Sequence, residues 1–389
     1  MIGERPDPGR ADPAGPLTTL ADVIAAVERH YPTGTAESWD AVGLAVGTRS
    51  APVSKVLYTV DVTQAVVDEA LEVGADLILA HHPLFLRPVH AVDLDSPKGQ
   101  VVAQLIRHDI SLYVAHTNAD IPPGGTVDAL ATALGLTDTR PLRPSPMPSL
   151  DKVVTFVPSD HLDAVLDALA AAGAGAMGAY DRCAFTSPGT GTFRPLAGAD
   201  PYVGQVGEVE VTPEVRLEMV LPRATRSAVV AALLAAHPYE EVAYDVLELA
   251  SLPSPDTGLG RVGTVPGDLS LGAFADRVRS VLPRTGGGIR VSGDRDRRLS
   301  RVAVQAGAGD DLLDVARAAG ADVYLTSDLR HHPASEATAW PDAPALIDVP
   351  HWAAESLWLP VAQSILGADL AEHGHAVDSA ISNVCTDAW

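Results

Sequence analysis

The sequence predicts an α/β fold, in which two similar βαβ-based units form one core and a ferredoxin-like α+β domain is inserted between them. Three observations lead there. Residues Lys55 to Pro83 look like a copy of Arg301 to Pro333. The intervening stretch, about 151–250, changes to a strand and helix order that is complete in itself. Both copies also close on a His-His-Pro tripeptide.

Residues 1–16 (MIGERPDPGRADPAGP) read as a disordered tail with no apolar h-region, so no signal peptide is expected. A helix should start near Thr18 or Thr19. The first repeat, KVLYTVDVTQAVVDEALEVGADLILAHHP, holds a β run, a turn, an amphipathic helix and Gly-Ala-Asp leading into a second β run. The second, RVAVQAGAGDDLLDVARAAGADVYLTSDLRHHP, keeps a constant offset from Lys55/Arg301 through Gly74-Ala-Asp76/Gly320-Ala-Asp322, with Asp68 on Asp314. Each is a βαβ unit, which implies a parallel strand pair with a right-handed crossover. Facing units would bring both His-His-Pro ends to the carboxyl edge of a sheet, where open α/β folds bind ligands.

Within 151–250, Lys152–Val157 reads as a strand and His161–Ala172 as a helix. Strand signals follow near Cys183–Thr186, Val206–Val211 and Arg216–Leu221, then a helix over Thr225–Ala236 and a strand over Glu241–Leu249. That is β-α-β-β-α-β with an extra strand, the order of a ferredoxin-like module. Ser187-Pro-Gly-Thr-Gly-Thr-Phe-Arg194-Pro reads as a structured loop and a candidate subunit contact. Its GTGT has neither the following helix nor the Lys of a phosphate loop. The expected boundaries are 1–16 tail, 17–150 first part of the core, 151–250 insertion and 251–389 second part.

Five residues read as one divided metal site. His81 and His82 end the apolar run Leu77-Ile-Leu-Ala. Asp120 closes Leu112-Tyr-Val-Ala-His116-Thr-Asn-Ala-Asp120, and His351 and Glu355 lie in Ile347-Asp-Val-Pro-His351-Trp-Ala-Ala-Glu355. Neighbouring strand side chains face opposite ways, so His81 and His82 can share a site only where the strand has ended, which Pro83 marks. His351 and Glu355, four apart, share one face of a helix that Pro350 would open as its first residue. That helix should run on to about Leu366, kinked at Pro360. Any one fragment alone reads better as core or surface; together, at element ends, they read as ligands. Three imidazoles and two carboxylates exceed what one tetrahedral ion that also holds a water can use. They suit two divalent ions sharing a carboxylate. Zinc, manganese and iron all accept this donor mix.

His116, Asp328, His331 and His332 are candidates for acid–base or substrate-contact roles, His116 first as an orienting partner of a ligand. Asp61 either rims the cleft or caps the helix at Gln64, a task Thr63 could equally perform. Trp39-Asp40 could cover the cleft, although a half-buried core Trp is the simpler expectation.

With 389 residues the chain should carry more than one core. Its net charge of −23, without a basic block, argues against nucleic acid and an anionic membrane face as partners. Two cysteines exclude a disulfide framework and fit a reducing cytoplasm. No window approaches the apolar length of a membrane span.

The chain resembles the Nif-three-like dinuclear-metal-centre proteins, also named GTP cyclohydrolase I type 2 homologues. The motifs that carry the resemblance are Trp39-Asp-Ala-Val-Gly-Leu-Ala-Val-Gly47, Ala80-His-His-Pro-Leu84, His116-Thr-Asn-Ala-Asp120, Gly189-Thr-Gly-Thr-Phe-Arg194-Pro, Thr326-Ser-Asp-Leu-Arg-His-His332 and Asp348-Val-Pro-His351-Trp-Ala-Ala-Glu355. They run in the family's order from about Thr19 to Asp387. Ala41, Ser327 and Pro350 depart from the usual Asn, Gly and Gly, and none is a ligand. The resemblance implies two lobes with a dinuclear centre between them, a PII-like insertion and a homohexamer. It also implies that His81, His82, Asp120, His351 and Glu355 hold the metals, with Glu355 touching both. The expected function is a metal-dependent hydrolase of a small molecule, such as a nucleotide or phosphoester. The alternative is a metal-binding regulatory or scaffold protein without turnover.

Overall fold

The computed structural model describes residues 17–389, so the expected tail at 1–16 lies outside the described residues. The fold is mixed α/β with several sheets. Residues 17–145 and 255–389 form one compact unit, and 146–254 form another.

The first unit holds two sheets. Across the first, the strands run Gly43–Val46, Ser111–Val114, Leu77–Ala80, Lys55–Thr59 and Asp378–Ile381, all parallel except the first. Across the second they run Arg290–Ser292, Ala345–Val349, Val323–Ser327, Arg298–Ala308, Pro253–Ser270 and Thr137–Pro146, with a parallel centre. Leu77–Ala80 and Val323–Ser327 are buried on both faces, which is why they read as continuous apolar runs rather than alternating ones.

The internal repeat extends to individual hydrogen bonds. Val56 pairs in parallel with Leu77, and Val302 with Val323, positions that match under the sequence offset. Asp76 accepts from the amides of Ser54 and Lys55; Asp322 accepts from those of Ser300 and Arg301. Both crossover helices end at a glycine in the left-handed region, Gly74 and Gly320, each with φ 67°, where any Cβ would be strained.

The helix Leu20–His30 starts where expected, at Thr19. Thr19 accepts from the Asp22 amide while Asp22 accepts from the Thr19 amide, a closed capping box. Thr63, not Asp61, caps the helix Gln64–Val73. The helix expected beyond Pro350 begins at His351 and breaks at Leu357, ahead of Pro360. Pro360 falls in the first turn of Trp358–Glu372, where its missing N–H costs nothing, so it causes no kink. The break lets the two helices serve different cores. Ala353 and Ala354 pack with the second sheet's Val304, Ile347 and Val349. Trp358, Leu359, Ala362 and Leu366 pack with the first sheet's Tyr58, Leu77 and Leu79. Trp358 is fully buried, edge-on to Tyr31, and donates Nε1–H to its hydroxyl at 3.2 Å.

Asp369 fastens this second helix to Leu20–His30, accepting from Arg29 Nε at 3.0–3.1 Å and pairing with His30 Nε2 at 2.9 Å. The Arg29 hydrogen bond draws the carboxyl down to about 2 against the opposing effect of burial, with His30 assisting. A depressed carboxyl pKa stabilises the fold above the ordinary value of 3.8 and ceases to do so as pH falls through about 2. Asp369→Asn should therefore be less stable than the unchanged protein above pH ~4, and the difference should shrink towards pH ~2. Urea midpoints measured across that range check this; a pH-independent difference would contradict it.

In 146–254 the element order is strand Leu150–Pro158, helix Leu162–Ala171, strands Ala184–Phe193 and Glu210–Pro222, helix Arg226–Ala236 and strand Tyr244–Glu248. The sheet order is Ala184–Phe193, Glu210–Pro222, Leu150–Pro158, Tyr244–Glu248, antiparallel throughout. Two expectations are corrected. Of the signal at 206–211 only Glu210 and Val211 are strand, and they open the same long strand, Glu210–Pro222, that holds 216–221, so no extra strand is formed there among the described residues. Ser187–Phe193 is strand, not loop: ten successive pairs, from Ala184↔Met219 to Phe193↔Glu210, override its turn-like composition.

Candidate metal centre

The centre lies in the first unit, at the carboxyl ends of parallel strands from both sheets. His81 and His82 follow Leu77–Ala80 directly, with their amides bonded to the Thr59 and Val60 carbonyls. Asp120 ends the short helix Thr117–Asp120 rather than the strand run, and accepts from the Thr126 hydroxyl. His351 and Glu355 come from the helix after Ala345–Val349. These five meet. Glu355, 2% exposed, has Oε1 2.8 Å from His351 Nε2 and 3.4 Å from His81 Nε2, and Oε2 2.9 Å from His82 Nε2. Asp120 Oδ1 is 3.7 Å from His81 Nε2. Gly307 leaves the room this requires, since a Cβ there would stand 2.6 Å from Glu355 Oε1.

Behind this cluster every imidazole is held the same way. His81 Nδ1–H donates to the Ala115 carbonyl at 2.9 Å, and His82 Nδ1–H to Asp61 Oδ1 at 2.8 Å. His351 Nδ1–H donates to Asp328 Oδ2 at 2.7 Å, and His116 Nδ1–H to Asp40 Oδ1 at 2.7 Å. A carbonyl or carboxylate can only accept, so each Nδ1 carries a proton, and in the neutral ring each Nε2 is left with a lone pair. Lone pairs of His81, His82 and His351 then face the oxygens of Glu355 and Asp120, acceptor against acceptor. His81 Nε2 and Glu355 Oε2 are buried without a hydrogen-bond partner. Only cations, or protons added to the imidazoles, satisfy such an array, and it is the orienting pattern of metal-ligating histidines.

The electrostatics agree. Burial disfavours charge on His82 and His351, yet the negative charge of Glu355, with Asp61 and Asp328 behind, pushes them up to about 10 and about 11. Burial works against the charged form of Glu355 too, and the three histidines nevertheless hold its carboxyl well below the usual range. His81, His82 and His116 form one triad whose nitrogens lie within 4.8 Å of each other, and His82, His351 and Glu355 form a second. The centre opens into a cavity of about 790 Å³ lined by Asp61, His82, Asp328, His351, Gly287 and Trp389.

Other candidates fall differently. Asp328 reaches the centre only through His351; its left-handed φ of 56°, tolerated by Asp, is part of how it does so. His331 and His332 start the helix His331–Thr338 as exposed residues and do not line the cavity. The reason is register. At the offset that matches Lys55 to Arg301, His81 falls on Ser327 and His82 on Asp328, so the second His-His-Pro is not the equivalent of the first. Asp61 does rim the cleft, tied to His82 and to the Thr386 hydroxyl at 2.5 Å. Asp40 had no assigned partner in the sequence; it is a sequestered carboxylate held by His116 and by the amide and hydroxyl of Thr117. Burial opposes its ionisation, but the His116 and Thr117 bonds bring it well below the ordinary range. Trp39 is not core: it is 57% exposed, edge-on to His116 at 6.0 Å.

The sequence profile of the Duf34/NIF3 (NGG1p interacting factor 3) family matches residues 18–388. This chain belongs to the DUF34/NIF3 family. A Mycobacterium leprae protein named GTP cyclohydrolase 1 type 2 homolog is 46% identical over 371 residues, covering 95% of this chain and 94% of its own. A Bacillus subtilis protein of the same name is 42% identical over 315 residues, 81% of this chain and 84% of its own. Among solved structures, a Bacillus cereus protein related to NIF3 superposes with a TM-score of 0.74 at 38% identity, covering 96% of this chain and 99% of its own. A Staphylococcus aureus protein superposes at 0.82 with 28% identity, covering 96% and 98%. The chain thus shares fold and length with DUF34/NIF3 relatives.

Proposed function

We propose that the centre holds two divalent cations (zinc, manganese or iron) and that the protein hydrolyses a small molecule, a nucleotide or phosphoester being the leading class. The observation that carries this reading is the set of back-anchored imidazoles turning lone pairs onto two buried carboxylates. His81 with Asp120 would serve one ion and His82 with His351 the other, with Glu355 touching both. Such a pair polarises a substrate oxygen and makes water nucleophilic at neutral pH. The chain's own groups do the rest. Asp61, Asp328 and the Ala115 carbonyl hold the tautomers and ring planes of the ligands. His116, fixed by Asp40, is the group placed to move a proton beside them. Trp39 walls the approach to His116.

The same reading takes 17–150 and 251–389 as the two lobes of the metal-binding core and 151–250 as a ferredoxin-like, PII-like insertion, supported by its strand order. It takes the assembly as a homohexamer in the cytoplasm, consistent with two free cysteines. Among the described residues no helix is long and apolar enough to cross a membrane.

Protein purified without oxygen should carry two ions per chain by elemental analysis, and His82→Ala and Asp120→Ala should each lose at least one. A panel of nucleotides and phosphoesters should show turnover that stops on chelation and returns with metal. Full metal content in both variants would refute the site. Two bound ions with no turnover across the panel would refute the hydrolase and leave the site standing.

A further inference from the structure

A second cavity, of about 700 Å³, lies wholly within residues 146–254. We propose that it binds an organic ammonium ion.

At its base is Glu214, 8% exposed and without an ion-pair partner among the described residues. Tyr239 donates its hydroxyl to Glu214 Oε1 at 2.8 Å. Oε2 lies over Gly191, where a Cβ would stand 2.2 Å away. That is a use for the second glycine of the Gly189-Thr-Gly-Thr motif: it lets the carboxylate lie flat against the neighbouring strand. Tyr239 continues into an aromatic cluster on the same cavity wall, its ring 6.0 Å from that of Phe193 and 6.0 Å from that of Tyr202.

The nearby basic groups do not neutralise Glu214. His237 donates Nε2–H to the Phe156 carbonyl and accepts the Tyr239 amide on Nδ1, so its ring is neutral. Arg216 is engaged with Glu218 at 2.7 Å and lies over Phe156. Arg194 is an exposed rim residue, screened by water. A buried carboxylate without a countercharge is costly, and aromatic rings lining the same cavity are the kind of surface that attracts ammonium cations through ring quadrupoles. Carboxylate and rings together favour a cation with an apolar body over a metal ion, which would want more oxygens. The cavity's size suits a small organic molecule.

Calorimetric titration of the full metal-loaded protein with choline and with tetramethylammonium, against the neutral choline isostere 3,3-dimethylbutan-1-ol, tests this. Both cations should bind, and the neutral isostere at least tenfold more weakly. Glu214→Gln should weaken choline at least tenfold without changing metal content. Phe193→Leu, which leaves the carboxylate in place, should also weaken it several-fold and provides the test if Glu214→Gln does not fold. Equal binding of the isostere, or unchanged affinity in the variants that fold, would overturn the assignment. So would the absence of binding by either cation up to about 10 mM, the weak end for one such site.

Discussion

Glu355→Gln is expected to purify with at most one ion where the unchanged protein carries two, and to lose hydrolysis with it. The side chain keeps its size but exchanges a carboxylate for an amide, whose NH₂ would point a donor at an imidazole or a cation. Removing a group behind a ligand already lowers metal affinity ~10–100-fold, so removing the shared ligand should cost at least that. The variant should also be less stable than the unchanged protein when both are metal-free, because Glu355, 2% exposed, is the negative partner of His82 and His351, and removing one partner of a buried charged set is destabilising. The metal loss is separable from this: added metal should raise the melting temperature of the unchanged protein more than that of the variant, each measured against its own chelated sample. Two tightly held ions in Glu355→Gln would refute the shared role.

Arg261→Met is expected to destabilise the first unit by about 3–5 kcal/mol, the range for breaking a buried pair by removing one partner. Arg261 is 2% exposed and uses its whole fork. Nε donates to Asp128 Oδ1 at 2.5 Å, Nη1 to the carbonyls of Gly258 and Gly260, and Nη2 to those of Ile121 and Pro122. Met fills the volume and satisfies none of these acceptors. Because Ile121 and Pro122 directly follow Asp120, metal affinity should fall with stability. Arg261→Lys should recover only part of the loss, since one ammonium cannot reproduce the planar fork. A denaturant-measured loss below about 1 kcal/mol would place Arg261 among ordinary exposed pairs and contradict the argument.

Much of this was legible in the chain because it is local. The βαβ copies announce themselves through apolar runs, Gly C-caps and the Asp that ties each second strand back to the first, and their positions agree under one offset. The five side chains that meet at the centre were legible because they sit at or near element ends, with His82 and His351 beside Pro83 and Pro350. What was not legible is pairwise and distant. Asp40 finds His116 from 76 residues away, and Asp61 finds His82 from 21. No periodicity encodes such partners. The second His-His-Pro misled because tripeptide identity outweighed register, while the aligned position, Asp328, had become the support for His351. Residues 187–193 misled because glycine and proline signal turns locally, whereas ten cross-strand pairs and the seat for Glu214 decide the matter.

The closing strand of the first sheet, Asp378–Ile381, pairs with Lys55–Thr59 across almost the whole length of the chain. On the ribosome, Lys55–Thr59 therefore emerges long before its outer neighbour exists. Until then one parallel edge is open, a template for wrong pairing with other nascent chains. The helix that carries Glu355 also emerges long after His81 and His82, so the centre cannot assemble before that helix has been made. Truncations or stalls before residue 378 should accordingly show themselves first as aggregation and proteolysis, before any effect on chemistry could be measured.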